Sequence, residues 1–319
     1  MQKDILNIRY VIDYYTCNYG CEYCIAGHGI TYEKKLPDLD SELCKKIVEN
    51  IMQLPYKINI RLGVRGEIFL NNFLLDMVKK LSWSENIYSI NLITNLSFTI
   101  EKYNEIFQKF NRKKIAIVAS FHPSQVKDVD SWVKTAKHIN KNYDFSCCLV
   151  AFPDFIDKLS FHKEMLENEE ITVFVQPFIG EWNGKYYPRD YSVEEQNIIR
   201  ENIYSRHDWE FLMKTKKPGL CNAGFKSIFV NSKGVVFPCG EDIYNYSIGD
   251  FSKNSDLKLN PSPIQCSALM CQCDTENMNT IVFQKNYAFT KKNQHEYEYK
   301  KKNISKFLPN FDEWKIPYE

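Results

Sequence analysis

No stretch of this sequence reaches the ~20 consecutive apolar residues that a bilayer-spanning helix requires, so no membrane span is expected. A surplus of either charge is missing too. The 41 Lys and Arg residues against 40 Asp and Glu leave a net charge of +1, which gives no global field to draw the chain onto nucleic acid or a membrane surface. The one basic concentration, Lys285, Lys291, Lys292 and Lys300 to Lys302, is interleaved with Glu296 and Glu298 and reads as a solvated surface. A targeting signal is also absent, because Asp4, Arg9 and Asp13 interrupt the apolar residues of the first segment. A cytoplasmic location is expected. No internal repeat stands out beyond an alternation of strand-like and helix-like segments. What remains is 44 % apolar and 25 % charged residues in 319, the proportions of a soluble globular chain with a sizeable core.

Against that background the 11 cysteines are conspicuous. A reducing compartment disfavours a disulfide framework and favours metal ligation. Their distribution agrees: Cys17, Cys21 and Cys24 fall together, Cys221, Cys239, Cys266, Cys271 and Cys273 form a second group, and Cys44, Cys147 and Cys148 stand apart. Cys44 lies on the apolar stripe of a predicted helix and Cys147-Cys148 inside a predicted strand, so these three read as structural.

Short segments rich in Ile, Val and Tyr predict strands at Asn7–Tyr14, Ile58–Gly63, Tyr88–Ile93, Lys114–Ser120, Phe145–Val150 and Ile171–Gln176. Helical periodicity lies between them over Ser41–Leu54, Phe73–Leu81, Ile100–Phe110, Ser131–Asn140 and Phe155–Leu166. Six β–α repeats imply a parallel sheet with right-handed crossovers. The rhythm fails after residue 180. Trp182–Pro188 reads as a loop and Val193–Tyr204 as a helix, and 221–250 reads as a hairpin turning at Asn231-Ser232-Lys233-Gly234. The expected organisation is a barrel-like unit over 1–180, a linker and helix over 181–215, a small cysteine-bearing module over 216–275 and a tail over 276–319.

The first cysteines have the spacing C-x3-C-x2-C directly after the first predicted strand, the end of a parallel sheet where active sites form. Three thiolates can hold three irons of a cubane cluster and leave the fourth without a protein ligand. A structural zinc site fits less well, because it needs a fourth ligand, for which His28 is the nearby candidate. The motif, including the aromatic Tyr23 before its third cysteine, resembles that of the radical S-adenosylmethionine (SAM) superfamily. Further segments resemble that family's at successive strand ends. Arg65-Gly66-Glu67 is similar to its Gly-Gly-Glu segment, with Arg65 in place of the first glycine, and Thr94-Asn95 and Ser120-Phe121-His122-Pro123 are similar to its ribose- and carboxylate-contacting positions. The physical reading is compatible: Glu67 offers an anion to an α-amino group, and Asn95, Ser120 and His122 offer polar groups to hydroxyls and a carboxylate. Gln176, with Arg61 and Arg65, falls near the same end of the sheet.

The resemblance implies a partial (β/α)6 TIM-like barrel within an α/β fold. It implies a SAM-binding [4Fe–4S] cluster on Cys17, Cys21 and Cys24, reductive cleavage of SAM to a 5′-deoxyadenosyl radical, and hydrogen abstraction from a substrate. A reducing partner such as flavodoxin or ferredoxin follows from the need for an electron. The second group resembles the SPASM/twitch modules of the same superfamily, because Gly234 to Cys239 fits their G-x4-C signature. A second, auxiliary [4Fe–4S] cluster is the expectation, held by four of Cys221, Cys239, Cys266, Cys271 and Cys273; a four-cysteine zinc site is the alternative. A peptide or sugar-like small molecule is the expected substrate, oxidised, epimerised or joined in a biosynthetic reaction. Modification of an RNA base is the rival enzymatic reading, opposed by the neutral charge, and a non-catalytic metal-binding scaffold is the rival from another class.

Overall fold

A computed structural model describes residues 5–24, 39–203, 220–240, 246–253 and 256–265 of the chain. Six parallel strands follow one another in space as they do in sequence: β1 (Ile5–Ile12), β2 (Lys57–Val64), β3 (Ile87–Thr94), β4 (Ile115–Phe121), β5 (Asp144–Ala151) and β6 (Val173–Pro177). The crossovers carry α1 (Ser41–Gln53), α2 (Asn72–Trp83), α3 (Ile100–Phe107), α4 (Val129–Asn140) and α5 (Leu159–Asn168), and α6 (Val193–Glu201) comes after β6. Side-chain caps begin four of the crossover helices. Asp40, Asn71, Thr99 and Asp128 each accept a hydrogen bond from a first-turn backbone N–H, which satisfies a donor that the helix itself cannot. The result is the expected α/β architecture, a partial barrel whose apolar layer lies between sheet and helices. No described helix is long and apolar enough to cross a membrane.

Alternation along the strands divides the sheet into two unlike faces. Leu6, Ile8, Tyr10 and Ile12 of β1, with Ile58, Ile60 and Leu62 of β2, are buried beneath the helices. The opposite, inner face is polar on the first three strands, with Asn7 and Arg9 on β1, Asn59 and Arg61 on β2, and Ser89 and Asn91 on β3. The register sets these residues in rows, Asn7 beside Asn59 beside Ser89 and Arg9 beside Arg61 beside Asn91. In the lower row Ser89 donates to Asn59 at 2.9 Å and Asn59 to Asn7 at 3.0 Å.

Two features depart from the sequence reading. Trp182–Pro188, expected as a loop, contains a hairpin of β7 (Gly180–Trp182) and β8 (Lys185–Tyr187). Its turn is Asn183-Gly184, both at positive φ (50° and 73°), the two-residue chemistry that matches strand twist. The helix expected from Phe155 begins instead as a 3-10 turn, Pro153–Lys158, before α5.

The expected hairpin within 221–250 is present as β10 (Ser227–Val230) and β11 (Val235–Phe237), after a short β9 (Leu220–Cys221) that pairs with β13 (Ile264–Gln265). It continues the main sheet: β10 pairs parallel with β1, and β12 (Gly249–Asp250) closes the edge beyond β11. An open six-stranded sheet leaves β1 with an unpaired edge, and the hairpin covers it.

Candidate active site at the strand ends

The loop after β1 carries Cys17, Cys21 and Cys24, and contacts from the ends of three strands hold it in place. After β2, Glu67 N–H donates to the Thr16 carbonyl at 2.9 Å. A Cβ on Gly66 would lie 2.2 Å from that same carbonyl oxygen, so only glycine permits the approach. After β3, the Asn95 amide lies 3.7 Å from Cys17 Sγ and donates to Asn18 Oδ1 at 2.8 Å, while Asn18 donates to Ser97. After β4, Gln125 Oε1 accepts from Gly20 N–H at 3.0 Å, and Tyr23 OH lies 3.0 Å from His122 Nδ1. The Tyr23 ring packs on Phe152 with centroids 4.5 Å apart. Thr16, Asn18, Ser97, Gln125 and Phe152 were not singled out in the sequence. Ser97 and Gln125 each follow a recognised strand-end residue by two or three positions, which is the one signal they offered.

Glu67 is almost fully buried, at 2 % exposure. Its carboxylate accepts from Phe69 N–H and Thr94 Oγ1 at Oε1, and from Asn95 N–H at 2.7 Å at Oε2. Both oxygens are thus engaged within the protein, and the side chain braces the end of β3 against the loop after β2. Burial pushes its pKa up to about 7, against the pull of those three donors. Burial likewise lowers the half-buried His122 to about 4, which keeps its imidazole neutral.

Burial raises the Cys17 and Cys21 thiols, Cys21 to about 12, and Cys24 adds to both shifts, so the three sulfurs lie within electrostatic reach of one another. Even so, among the described residues no three Cys, His, Asp or Glu side chains converge on one metal ion. A cubane places each thiolate on a different iron and needs no such convergence on a single ion. The donor set, three cysteines with no fourth ligand among the described residues, fits a [4Fe–4S] cluster with one open iron. His28 lies outside the described residues.

Ser120 and Gln176 sit on the inner faces of β4 and β6, beside Cys148 and Val150 respectively, and neither hydrogen-bonds to the cysteine loop. Arg65 is turned to the surface, where it donates to Asp13 at 3.0 Å. Cys44 is buried and accepts from Tyr10 OH, as a structural cysteine should.

Of the second cysteine group, Cys239 is buried and Cys221 half-buried. They flank the base of the β10–β11 hairpin, where Gly224 N–H donates to the Pro238 carbonyl. Because β10 runs parallel to β1, this base lies toward the N-terminal end of the sheet, opposite the Cys17 loop. Cys266, Cys271 and Cys273 lie outside the described residues.

Comparison with protein-family models and with curated proteins finds no match to this chain. Among solved structures it is similar to histidine-tagged anSMEcpe with bound AdoMet, at a TM-score of 0.53 and 15 % identity, covering 77 % of this chain and 75 % of that one. Native anSMEcpe with bound AdoMet matches at the same TM-score and identity, over 77 % and 78 % of the two chains. The chain therefore shares the fold of these AdoMet-bound proteins, and that fold is the partial α/β barrel described above.

Proposed function

We propose that this protein is a radical SAM enzyme, with a [4Fe–4S] cluster held by Cys17, Cys21 and Cys24. The observation that carries the reading is the cysteine loop itself: three thiols, with no fourth ligand among the described residues, fastened by backbone and side chains from three consecutive strand ends of a barrel with this fold. When bound, cluster and SAM together supply a 5′-deoxyadenosyl radical that abstracts hydrogen from the substrate.

The chain's own residues prepare the site. Asn95 directs an N–H toward Cys17 Sγ, which favours the thiolate form that a metal requires. Glu67 fixes Thr94 and Asn95 in place and leaves negative charge beneath the strand ends, where it favours an approaching ammonium group. His122, held neutral, exchanges a hydrogen bond with Tyr23 and keeps that ring over Phe152, closing one side of the loop against water.

A second [4Fe–4S] cluster on Cys221, Cys239 and two of Cys266, Cys271 and Cys273 belongs to the same proposal. It extends to a peptide or sugar-like substrate, changed by oxidation, epimerisation or bond formation, and to a flavodoxin- or ferredoxin-type electron donor. The test is anaerobic reconstitution with iron and sulfide, reduction with dithionite, and measurement of 5′-deoxyadenosine released from SAM. Wild type should release it, and a Cys17/Cys21/Cys24→Ala variant should release none and bind about four fewer irons. A reconstituted wild type that leaves SAM intact overturns the reading and favours a metal-binding scaffold.

A further inference from the structure

Folding gathers, at the N-terminal end of the sheet, cations that the chain keeps apart. Lys57 opens β2, Lys109 follows α3, and Arg112, Lys113 and Lys114 form the 3-10 turn that leads into β4. Lys57 donates to the Glu85 carbonyl at 2.8 Å and Lys114 to the Ser84 carbonyl at 2.6 Å. Burial and then the charge of Lys57 lower the Lys114 pKa, so these two ammonium groups lie within electrostatic reach of each other. Among the described residues none of the five cations forms an ion pair, whereas Lys80, Lys102, Lys137 and Lys163 of the crossover helices are each paired with a glutamate. Glu85 and Glu105 act on Lys114 and Lys109 only from beyond contact distance. Like charges so held repel, and a partner of opposite sign relieves the repulsion.

Beside this cluster lies a groove of about 730 Å³, lined by Trp83, Phe110, Ile115 and Tyr143 and by Arg112 and Lys113. Trp83 is 63 % exposed, and its indole N–H donates to the Lys109 carbonyl at 3.2 Å, which fixes the ring at the groove. Arg112 is held as well. Its Nε donates to the Asn142 carbonyl, and its guanidinium lies over the Tyr143 ring at 5.6 Å from the centroid. Lys113 is exposed and makes no hydrogen bond or ion pair among the described residues. Lys141 and Asp144 also line the groove, one of each sign, so its surplus of positive charge comes from Arg112 and Lys113. Trp, Tyr and Arg side chains held in place are the usual anchors of protein interfaces, because little side-chain entropy is lost when a partner covers them.

We propose that this groove docks an acidic peptide segment of a partner, which sets an apolar side chain against Trp83 and its carboxylates on Arg112, Lys113 and the neighbouring lysines. Charge complementarity selects the occupant. Single-stranded nucleic acid stacks on successive free aromatic faces, and here Arg112 already covers Tyr143. A second copy of the chain, with a net charge of +1, brings no acidic surplus. From the groove β4 runs to the His122 end beside the cysteine loop, and its seven residues at about 3.3 Å each put the docked segment roughly 20 Å from that loop. The groove thus holds a partner without touching the reacting atoms, and the assignment does not depend on the radical SAM reading.

The test uses the full-length reconstituted protein and a short fluorescein-labelled peptide of Glu, Asp and Leu, with binding read by fluorescence anisotropy at low and high ionic strength. The comparison probes are the same peptide with Lys for the acids, the acidic peptide with Gly for Leu, and a thymidine oligonucleotide of equal charge. The expected result is saturable binding of the acidic Leu peptide, weaker for the Gly analogue, absent for the Lys peptide and reduced by salt. Arg112→Glu/Lys113→Glu and Trp83→Ala should each weaken it at least about tenfold. Lys113→Glu alone guards against misfolding, since that side chain has no hydrogen bond or ion pair to lose, and it should weaken binding less than the double variant. Lys102→Glu/Lys134→Glu makes the same change of net charge on α3 and α4 and should bind as wild type does. No saturable binding of the acidic peptide, or affinity unchanged in the groove variants, overturns the proposal. An equal loss in Lys102→Glu/Lys134→Glu overturns it too, because binding would then follow net charge and not the groove. Tighter binding of the oligonucleotide than of the acidic peptide overturns it and assigns the groove to nucleic acid. None of these measurements requires SAM cleavage, so failure of the docking assignment leaves the radical SAM reading standing, and the reverse holds.

Discussion

Glu67 keeps its carboxyl where water does not reach, and that has a consequence for stability. Its carboxyl pKa is raised from 4.5 to about 7, with burial as the leading cause. An acid whose folded pKa lies above its unfolded one binds the proton more readily in the folded state. Folding stability from this group is therefore full below pH 4.5 and is lost as pH rises through 7. At about 1.4 kcal/mol per pH unit the loss is about 3 kcal/mol. Glu67→Gln cannot titrate. The difference in unfolding free energy between wild type and Glu67→Gln, from urea denaturation at about pH 5 and about pH 8, should shift against wild type by about that amount. A difference that does not vary with pH would mean that the carboxyl ionises normally. The sequence offered Glu67 as an anion aimed at an amino group. It could not show that Phe69, Thr94 and Asn95 already take up both oxygens, because that depends on how the end of β3 meets the loop after β2. Gly66 was recognised by motif alone, and its physical reason is the Thr16 carbonyl 2.2 Å from where a Cβ would be.

Gly234 does for an element what Gly66 does for the loop. It has φ of +85° at the β10–β11 turn, and a Cβ there would lie 2.7 Å from Ser252 N and 3.0 Å from Ile47 Cγ1 of α1. Gly234→Ala should therefore cost about 1–3 kcal/mol, combining the left-handed backbone with overpacking. The exposed neighbour substitution Lys233→Ala should lie within about 0.5 kcal/mol of wild type in the same denaturation series. Equal stability of the two variants would show that the hairpin does not dock on α1 as described. The six β–α repeats were legible because each strand and helix carries its own periodicity, and every helix but α5 a side-chain N-cap. What periodicity leaves open is which edge a late hairpin joins. Asn7 beside Ser227 and Arg9 beside Phe229 are pairings between residues some 220 positions apart, and nothing local in either segment encodes them. The β7–β8 hairpin was legible in principle, since Asn183-Gly184 is a strong two-residue turn signal; its flanking strands of three residues were too short to show alternation.

At the scale of the whole molecule, β1 organises the chemistry. Its C-terminal end leads into the Cys17 loop, its N-terminal end lies beside the hairpin base bearing Cys221 and Cys239, and its middle carries Arg9. Eight residues at about 3.3 Å each separate the two ends by roughly 25 Å. Two metal centres so placed would not share ligands, and the row of Arg9, Arg61 and Asn91 lies between them. Independence of the centres is measurable. Cys221→Ala/Cys239→Ala should lose about four irons and retain the reduced-state EPR signal of the Cys17 cluster, and Cys17/Cys21/Cys24→Ala should lose a different four and retain the other signal. Zinc in place of iron in the second variant would make the hairpin site a structural four-cysteine centre and remove electron transfer to it from the mechanism. If either variant loses all of its iron while remaining folded by circular dichroism, the two sites are not separate centres. The opposition of the two ends of β1 would then be a feature of the sheet alone.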